Sequence, residues 1–449
     1  MDELNIGSRL ELFIDDYLIN SMDHVELRLH HPVEREVALA FDEPWEGETS
    51  GYFTVLKDGP RYRMYYRGSN HTVNCVEIPD FHETVCTAES LDGIHWVKPE
   101  LGICEFECSK KNNIVHTGEG SHAFVPFIDS NPEAKPDELY KAATSADFDT
   151  KPVLRAYVSA DGYNWRALSD EPILTEGAFD SQNVVFWDSV AGEYVAYYRE
   201  FRDGSREVKY SKSKDFIHWT DDEWISITGA PHCQLYTNAV QPYFRAPHIY
   251  LGFPKRFFEE RKAVGSHPFT GVSDGGFMSS RDRTNFHIWG EAFVRPGQEQ
   301  FNWTERSNMA AWGMLQLCPE EISMFYSRHF HHSTNHLSRM TLRTDGFVSV
   351  HAGAQTGNLT TKPLIFEGRN LVINYATSAG SGIRVELLDE NNKPIPGYEL
   401  DNCPVIYGDE IEHVVSWKSG SDVSALGGKP IRIRFELMDA DLYAMQFRV

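Results

Sequence analysis

The sequence predicts an all-β chain in which a five-bladed β-propeller is followed by a β-sandwich. Three observations carry this. A turn recurs: Ser90-Leu91-Asp92-Gly93-Ile94-His95-Trp96 returns as Ser159-Ala160-Asp161-Gly162-Tyr163-Asn164-Trp165, then without its glycine as Ser213-Lys214-Asp215-Phe216-Ile217-His218-Trp219, and in its first half as Ser280-Arg281-Asp282, at intervals of 69, 54 and 67 residues. Between the copies the chain breaks into short apolar runs, and its 27 Phe, 20 Tyr and 10 Trp favour strands over long helices. After residue 345 the recurring turn stops while short alternating runs continue.

The repeated turn has a physical reading. The aspartate accepts local backbone N–H groups, the glycine takes positive φ, and the tryptophan three residues on opens an outer strand. A recurring turn implies a recurring supersecondary unit, and with strand-like flanks the array is a propeller.

Residues 1–345 are assigned to the propeller. The run Leu10-Glu11-Leu12-Phe13-Ile14-Asp15-Asp16-Tyr17-Leu18-Ile19 is read as a leading strand, 10–19, that closes the ring. Blade one runs from Gly51-Tyr52-Phe53-Thr54-Val55 through Tyr62-Arg63-Met64-Tyr65-Tyr66-Arg67 to the first Asp-Gly turn. Blade two holds Ser121–Pro126, 140–143 and 154–158; blade three holds 181–188, 193–199 and 208–211. Blade four begins at Thr237-Asn238-Ala239-Val240 and blade five at Asn308–Gly313. Residues 346–449, with alternating runs at 371–375, 383–387 and 431–437 separated by turn signals, are assigned to the sandwich.

Composition narrows the function classes. A net charge of −24 argues against nucleic acid and anionic membranes as partners, though a small substrate feels only the local field. No apolar run has the length of a membrane span, and the first residues show no signal-peptide pattern. Seven cysteines without a C-x-x-C pair fit free thiols in a reducing compartment, so a cytoplasmic protein is expected.

Residues just before each inner strand point into the propeller funnel. Those positions hold Glu48, His122, Asp180, Asn238 and Glu305. Cleavage of a glycosidic bond uses one carboxyl as proton donor and one as base or nucleophile, so Asp180, Glu48 and Glu305 are the candidate catalytic groups. The ends of the second strands bring Arg67, Arg199, Lys255 with Arg256, and Arg328 to the same face, cations suited to an acidic or hydroxyl-rich sugar. Asp16, beside Asp15 in the leading strand, joins His122 and Asn238 as a candidate substrate-binding residue. Tyr65, Tyr66, Tyr197, Tyr198, Trp187 and Tyr236 offer stacking faces. The patch His329, His331 and His332 matches no zinc-ligand spacing, and no phosphate loop, nucleophile elbow or dinucleotide fingerprint is present, so neither a metal nor a cofactor is expected.

The order of a propeller with inner-strand acids and then a sandwich resembles the family 32 glycoside hydrolases, and the propeller is similar to that of family 43. The stretches at 12–19, 62–68, 177–183 and 420–426 look like bacterial family-32-like glycosyl hydrolases common in planctomycetes. The fructan-active members carry an Asn-Asp-Pro motif before the first inner strand, an Arg-Asp-Pro motif and a Glu-Cys pair. The chain reads Gly47-Glu48-Thr49-Ser50-Gly51 at the first position and lacks the other two at matching places. The resemblance therefore implies the fold and a glycosidase, while the three catalytic identities do not carry over with it and fructose specificity does not follow from it; a funnel closed at one end admits a chain terminus, so exo action on a small or terminal glycan is expected. Alternatives on the same fold are a non-catalytic carbohydrate-binding propeller and a glycan lyase or phosphorylase.

Overall fold

A computed structural model describes residues 3–148, 151–220 and 222–449. Among them the regular elements are strands, apart from four single-turn 3-10 helices. The backbone forms two compact units: residues 32–317 with 322–341, and residues 1–31 with 318–321 and 342–449.

The larger unit repeats a four-stranded antiparallel meander. Gly51–Asp58, Arg61–Ser69, Glu83–Ser90 and Ile114–Thr117 pair in that order. Val125–Ile128, Tyr140–Phe148, Lys151–Ser159 and Arg166–Ala167 make the next sheet, and Val184–Asp188, Glu193–Arg202, Ser205–Ser213 and Glu223–Trp224 the one after. In the fourth repeat the strands are interrupted. Gln234–Thr237 and Gln241–Tyr243 flank a break at 238–240, and Ala246–Gly252 resumes as Lys255–Phe258 past Phe253 and Pro254, which splits the repeat into two sheets. The last sheet joins Leu315–Cys318, Glu321–Arg328 and His336–Arg343 to Val33–Ala40.

The recurring turn is one structure in all four copies. The serine Oγ accepts the N–H groups two and three residues on, and the aspartate Oδ1 accepts those of the next two residues. The residue between takes φ of +74° at Gly93, +75° at Gly162, +67° at Phe216 and +78° at Arg283. Four hydrogen bonds therefore hold even Phe216 and Arg283 in a conformation that glycine adopts without cost. The fourth copy, of which sequence shows only the start, is a full turn.

The strand that completes the last sheet corrects an expectation. Residues 10–19 do not close the ring: Glu11–Leu12 pairs with Met445 and Ala444 in the other unit, and Val33–Ala40 pairs with His336–Arg343 instead. The reason is chemical. Leu10, Leu12, Phe13, Ile14 and Leu18 are all buried and require a core, whereas 33–40 carries Glu34 and Glu36 to Arg328 and Arg339 across the sheet. Residues 1–31 thus group with the C-terminal unit rather than with a propeller domain of 1–345.

In that unit two long strands, Asn370–Leu388 and Arg432–Arg448, pair along most of their lengths, with irregularities at Asn374/Tyr375 and Thr377/Gly382. Arg432–Arg448 also receives Val348–Ala352, Gly357–Thr361 and Glu11–Leu12. The alternating faces bury Phe13, Val350, Ile373, Val385, Phe435 and Leu442 in one core.

Candidate functional site

A small, open cleft in the larger unit is lined by Tyr52, Arg67, Lys255, Arg306, Met309 and Phe330, with Gly51. Tyr52 sits at an irregularity of the first inner strand with φ +54°, a strained conformation for an aromatic residue. Its hydroxyl donates to the carbonyl of Asp180 (3.2 Å).

Four cations gather here. Arg67 donates to the Thr49 carbonyl (2.7 Å), approaches Glu83 (3.4 Å), and lies 4.8 Å from the Tyr52 ring centre. Arg199 is ion-paired with Asp180 and sits 5.0 Å from the Tyr236 ring. Lys255 is only 1% exposed, with Nζ 3.7 Å from the centre of the same ring and no ion-pair partner among the described residues. Burial, reinforced by Arg306, Arg199 and Arg206, holds its amine well below the usual lysine range against the opposing pull of Glu305. Arg306 likewise has no hydrogen bond or ion pair among the described residues. Burial opposes its charge, but Tyr236 and Tyr52 with the carboxylates Glu305 and Asp180 raise its pKa.

The three candidate catalytic carboxylates differ in state. Asp180 has its side chain 67% exposed and carries the Arg199 ion pair, whose guanidinium is buried. Glu305 is buried, with Oε2 2.7 Å from His267 Nε2 and Oε1 3.0 Å from His331 Nε2. Burial alone would raise its pKa, but these two imidazoles hold it well below the carboxylate range. Glu48 is spent on local structure. Its oxygens accept from Asn74 N (2.7 Å), Cys75 N (3.1 Å) and Thr72 Oγ1 (3.2 Å), pinning the Thr72–Val73 to Val76–Glu77 hairpin. Asp180 and Glu305 both act on Arg306 in the cleft.

The remaining predicted residues divide. His122 binds Glu83 (3.0 Å) and Arg67 (3.2 Å) and belongs to the cleft wall. Asn238 is buried and consumed by the backbone, donating to Tyr197 O (3.2 Å) and accepting from Val240 N (3.1 Å). Arg256 is clamped by Asp274 and Arg328 by Glu34. Asp16 lies in the other unit, exposed in a turn whose carbonyls accept from Lys362 Nζ. Of the aromatic candidates, Tyr65, Tyr66, Tyr197 and Tyr198 are fully buried core, and Tyr236 faces the cations.

Sequence reasoning missed Tyr52 and Arg306. Tyr52 lay inside an apolar strand run, where alternation hides an irregularity. Arg306 follows Glu305, itself placed at the funnel, and adjacency to that acid was the available signal.

A second cleft, beside Ile225, Ile227, Leu235 and Ile288, carries Glu207 ion-paired with Arg202 and 3.4 Å from His232, so its one cation at neutral pH already has a carboxylate. All seven cysteines are free thiols, and no helix of the described residues is long and apolar enough to cross a membrane.

No protein-family model matches the chain, and no curated protein matches it. Solved structures similar to it include an N-acetylgalactosamine deacetylase from F. plautii in complex with blood group B trisaccharide, at 13% identity and a TM-score of 0.48, over 71% of this chain and 95% of that one. A glycosyl hydrolase from Bacteroides ovatus is similar at 13% identity and TM-score 0.45, over 75% and 96%. A beta-1,2-mannobiose phosphorylase from Listeria innocua is similar at 12% identity and TM-score 0.45, over 70% and 97%.

Proposed function

We propose that the protein is a carbohydrate-active enzyme, a glycoside hydrolase acting on the acidic terminal sugar of a small glycan held in the funnel. The observation that carries this is the cleft lined by Arg67, Lys255 and Arg306, with the Arg199–Asp180 pair in electrostatic reach, in which Arg306 and Lys255 have no ion-pair partner among the described residues. Unpaired buried cations are costly, and a carboxylate or sulfate on the sugar supplies the missing charge.

Asp180 and Glu305 take the two roles that hydrolysis needs. Glu305, held ionised by His267 and His331, is the anionic partner that acts on the anomeric centre or its water. Asp180 is the proton donor. Its side chain is 67% exposed, ion-paired with the buried Arg199 and open to the leaving-group oxygen of a bound glycan. Glu48 supports the hairpin and does not enter the reaction.

The test is a panel of aryl glycosides and oligosaccharides, uronic, sulfated and neutral, with product detection. Release of an acidic monosaccharide by the wild-type enzyme and its loss in Asp180→Asn and Glu305→Gln is expected. Full turnover by either variant sinks the assignment. A second reading is favoured by Lys255 alone: a buried amine with depressed pKa beside guanidiniums is suited to abstract a proton next to a uronate carboxylate, giving elimination. An unsaturated product absorbing in the ultraviolet would select it.

A further inference from the structure

We infer that Cys75, His267 and His332 form a binding site for a divalent transition-metal ion of the zinc type. The site shares the His267–Glu305 contact with the reaction proposed above, and its test does not depend on that reaction. Three segments distant in sequence converge to make it: the tight turn of the hairpin pinned by Glu48, the loop before Val272–Gly275, and the loop after Glu321–Arg328. The donor atoms of the three residues lie within 4.8 Å of one another.

The spacing fits a tetrahedral ion. Cys75 Sγ is 3.9 Å from His267 Nδ1 and 3.7 Å from His332 Nδ1. With zinc–sulfur bonds of about 2.3 Å and zinc–nitrogen bonds of about 2.0–2.1 Å, tetrahedral geometry sets sulfur and nitrogen roughly 3.5–3.6 Å apart. The two sulfur–nitrogen separations need shorten by only a few tenths of an ångström, while the imidazole nitrogens, within 4.8 Å of each other, must draw together by side-chain rotation toward the roughly 3.3–3.4 Å that the same bond lengths set.

The surroundings are those of a metal ligand set. His267 presents Nε2 to Glu305 at 2.7 Å, which fixes its tautomer so that the Nδ1 lone pair faces Cys75, the carboxylate–histidine arrangement that orients ligating imidazoles. His332 stacks on Phe301 at 4.0 Å, and its Nε2 is buried without a partner. Neither neighbouring histidine is available. His329 is engaged by Glu299 (2.6 Å) and Thr334 (3.0 Å), and His331 by Glu305 and by Thr72 (3.0 Å). Soft sulfur with two imidazoles selects zinc-like ions over magnesium or calcium. On binding, the Cys75 S–H, which donates to the His331 carbonyl at 2.8 Å, gives its proton to solvent, and the thiolate sulfur bonds the ion. The fourth position is left to water.

The experiment titrates chelator-stripped protein with Zn²⁺ against a chromophoric competitor, and with Co²⁺ to look for a thiolate-to-cobalt charge-transfer band. One ion per chain is expected, with the band lost in Cys75→Ser, affinity reduced at least tenfold in His332→Ala, and reduced about 10–100-fold in Glu305→Gln. Mg²⁺ and Ca²⁺ should not compete. A measurement on wild-type protein guards against misfolded variants: Zn²⁺ should protect Cys75 from alkylation while the exposed Cys108 and Cys318 react as before. Absence of stoichiometric binding, a cobalt spectrum without sulfur ligation, or equal alkylation of Cys75 with and without Zn²⁺ would overturn the inference. None of these readouts involves turnover on a glycan.

Discussion

Replacing Lys255 by methionine should make the protein more stable and its funnel less able to bind an anion. The amine is 1% exposed, has no ion-pair partner among the described residues, and feels Arg306, Arg199 and Arg206. Exchanging buried ionic groups for apolar side chains of similar volume stabilises comparable proteins by about 1–4 kcal/mol. The contact of Nζ with the Tyr236 ring, which methionine replaces by ordinary packing, offsets about 0.5–2 kcal/mol of that. A net gain of about 1–2 kcal/mol at neutral pH follows. Its pH dependence has a definite sign. Because the folded-state pKa lies below the unfolded one, the wild-type penalty vanishes where both states are neutral, grows as pH falls through the unfolded lysine value near 10.4, and is full below the folded value. Urea unfolding of both proteins from pH 7 to 10 should therefore show the variant ahead at pH 7 and the gap closing toward pH 10. Calorimetric titration with an acidic monosaccharide should show weakened binding in the same variant. A Lys255→Met protein less stable than wild type, or a gap independent of pH, would refute the claim that this amine is kept for a ligand.

Arg306→Gln removes a guanidinium with no hydrogen bond or ion pair among the described residues, so folding should be little affected. KM for an acidic glycoside should rise by about 10–100-fold, the worth of one charged hydrogen bond, with neutral glycosides unchanged. Gly162→Ala should cost about 2–5 kcal/mol, read by urea unfolding: at φ +75° its Cβ would come within 2.5 Å of Tyr65 Oη and closer still to Arg63 Nη1. Gly59→Ala, at φ +60° with open space around it, should cost only the conformational part, about 1–2 kcal/mol. Asp161 is held at about 2 because, against its desolvation, the amides of Asn164 and Tyr163 bind the ionised form. Its contribution is present above the unfolded value near 3.9 and lost as pH falls toward 2; being solvent-exposed it amounts to less than about 1 kcal/mol, and Asp161→Asn should flatten that part of the acid unfolding curve.

The repeat was legible because its determinants are local. Ser90, Asp92 and Gly93 make their bonds within five residues, so the motif reads off the chain and still forms where Phe216 and Arg283 replace glycine. Ring closure was not local. Val33–Ala40 pairs with residues some three hundred positions away, and its Glu34 and Glu36 look like solvent-facing charges until Arg328 and Arg339 are set opposite them. The same limit divides the site. That Arg67, Arg199 and Lys255 come near one another was legible because each was read at the end of the second strand of a repeat. The hairpin contacts of Glu48 were not legible, because its partners, the amides of Asn74 and Cys75, lie on a hairpin whose register no alternation reveals. Cys75 and His267 carried no signal, since neither belongs to a short-range ligand spacing.

A chain of net charge −24 that concentrates Arg67, Arg199, Lys255 and Arg306 around one small cleft places two fields in opposition. At physiological ionic strength charges are screened over about 8 Å, so a ligand inside the cleft is governed by the four cations and one outside by the acidic surface. A long polyanion would gain at its tip and lose along the rest of its length. A short glycan with a single acidic residue at its end gains at the tip alone. The charge distribution therefore favours a small substrate with one terminal acid over a polyanionic chain. Affinity for a monouronate should accordingly fall with added salt, while a polyuronate of the same sugar should bind no more tightly than the monomer at low salt. Tighter binding of the polymer would place further cations along an extended groove and refute the restriction to a terminus.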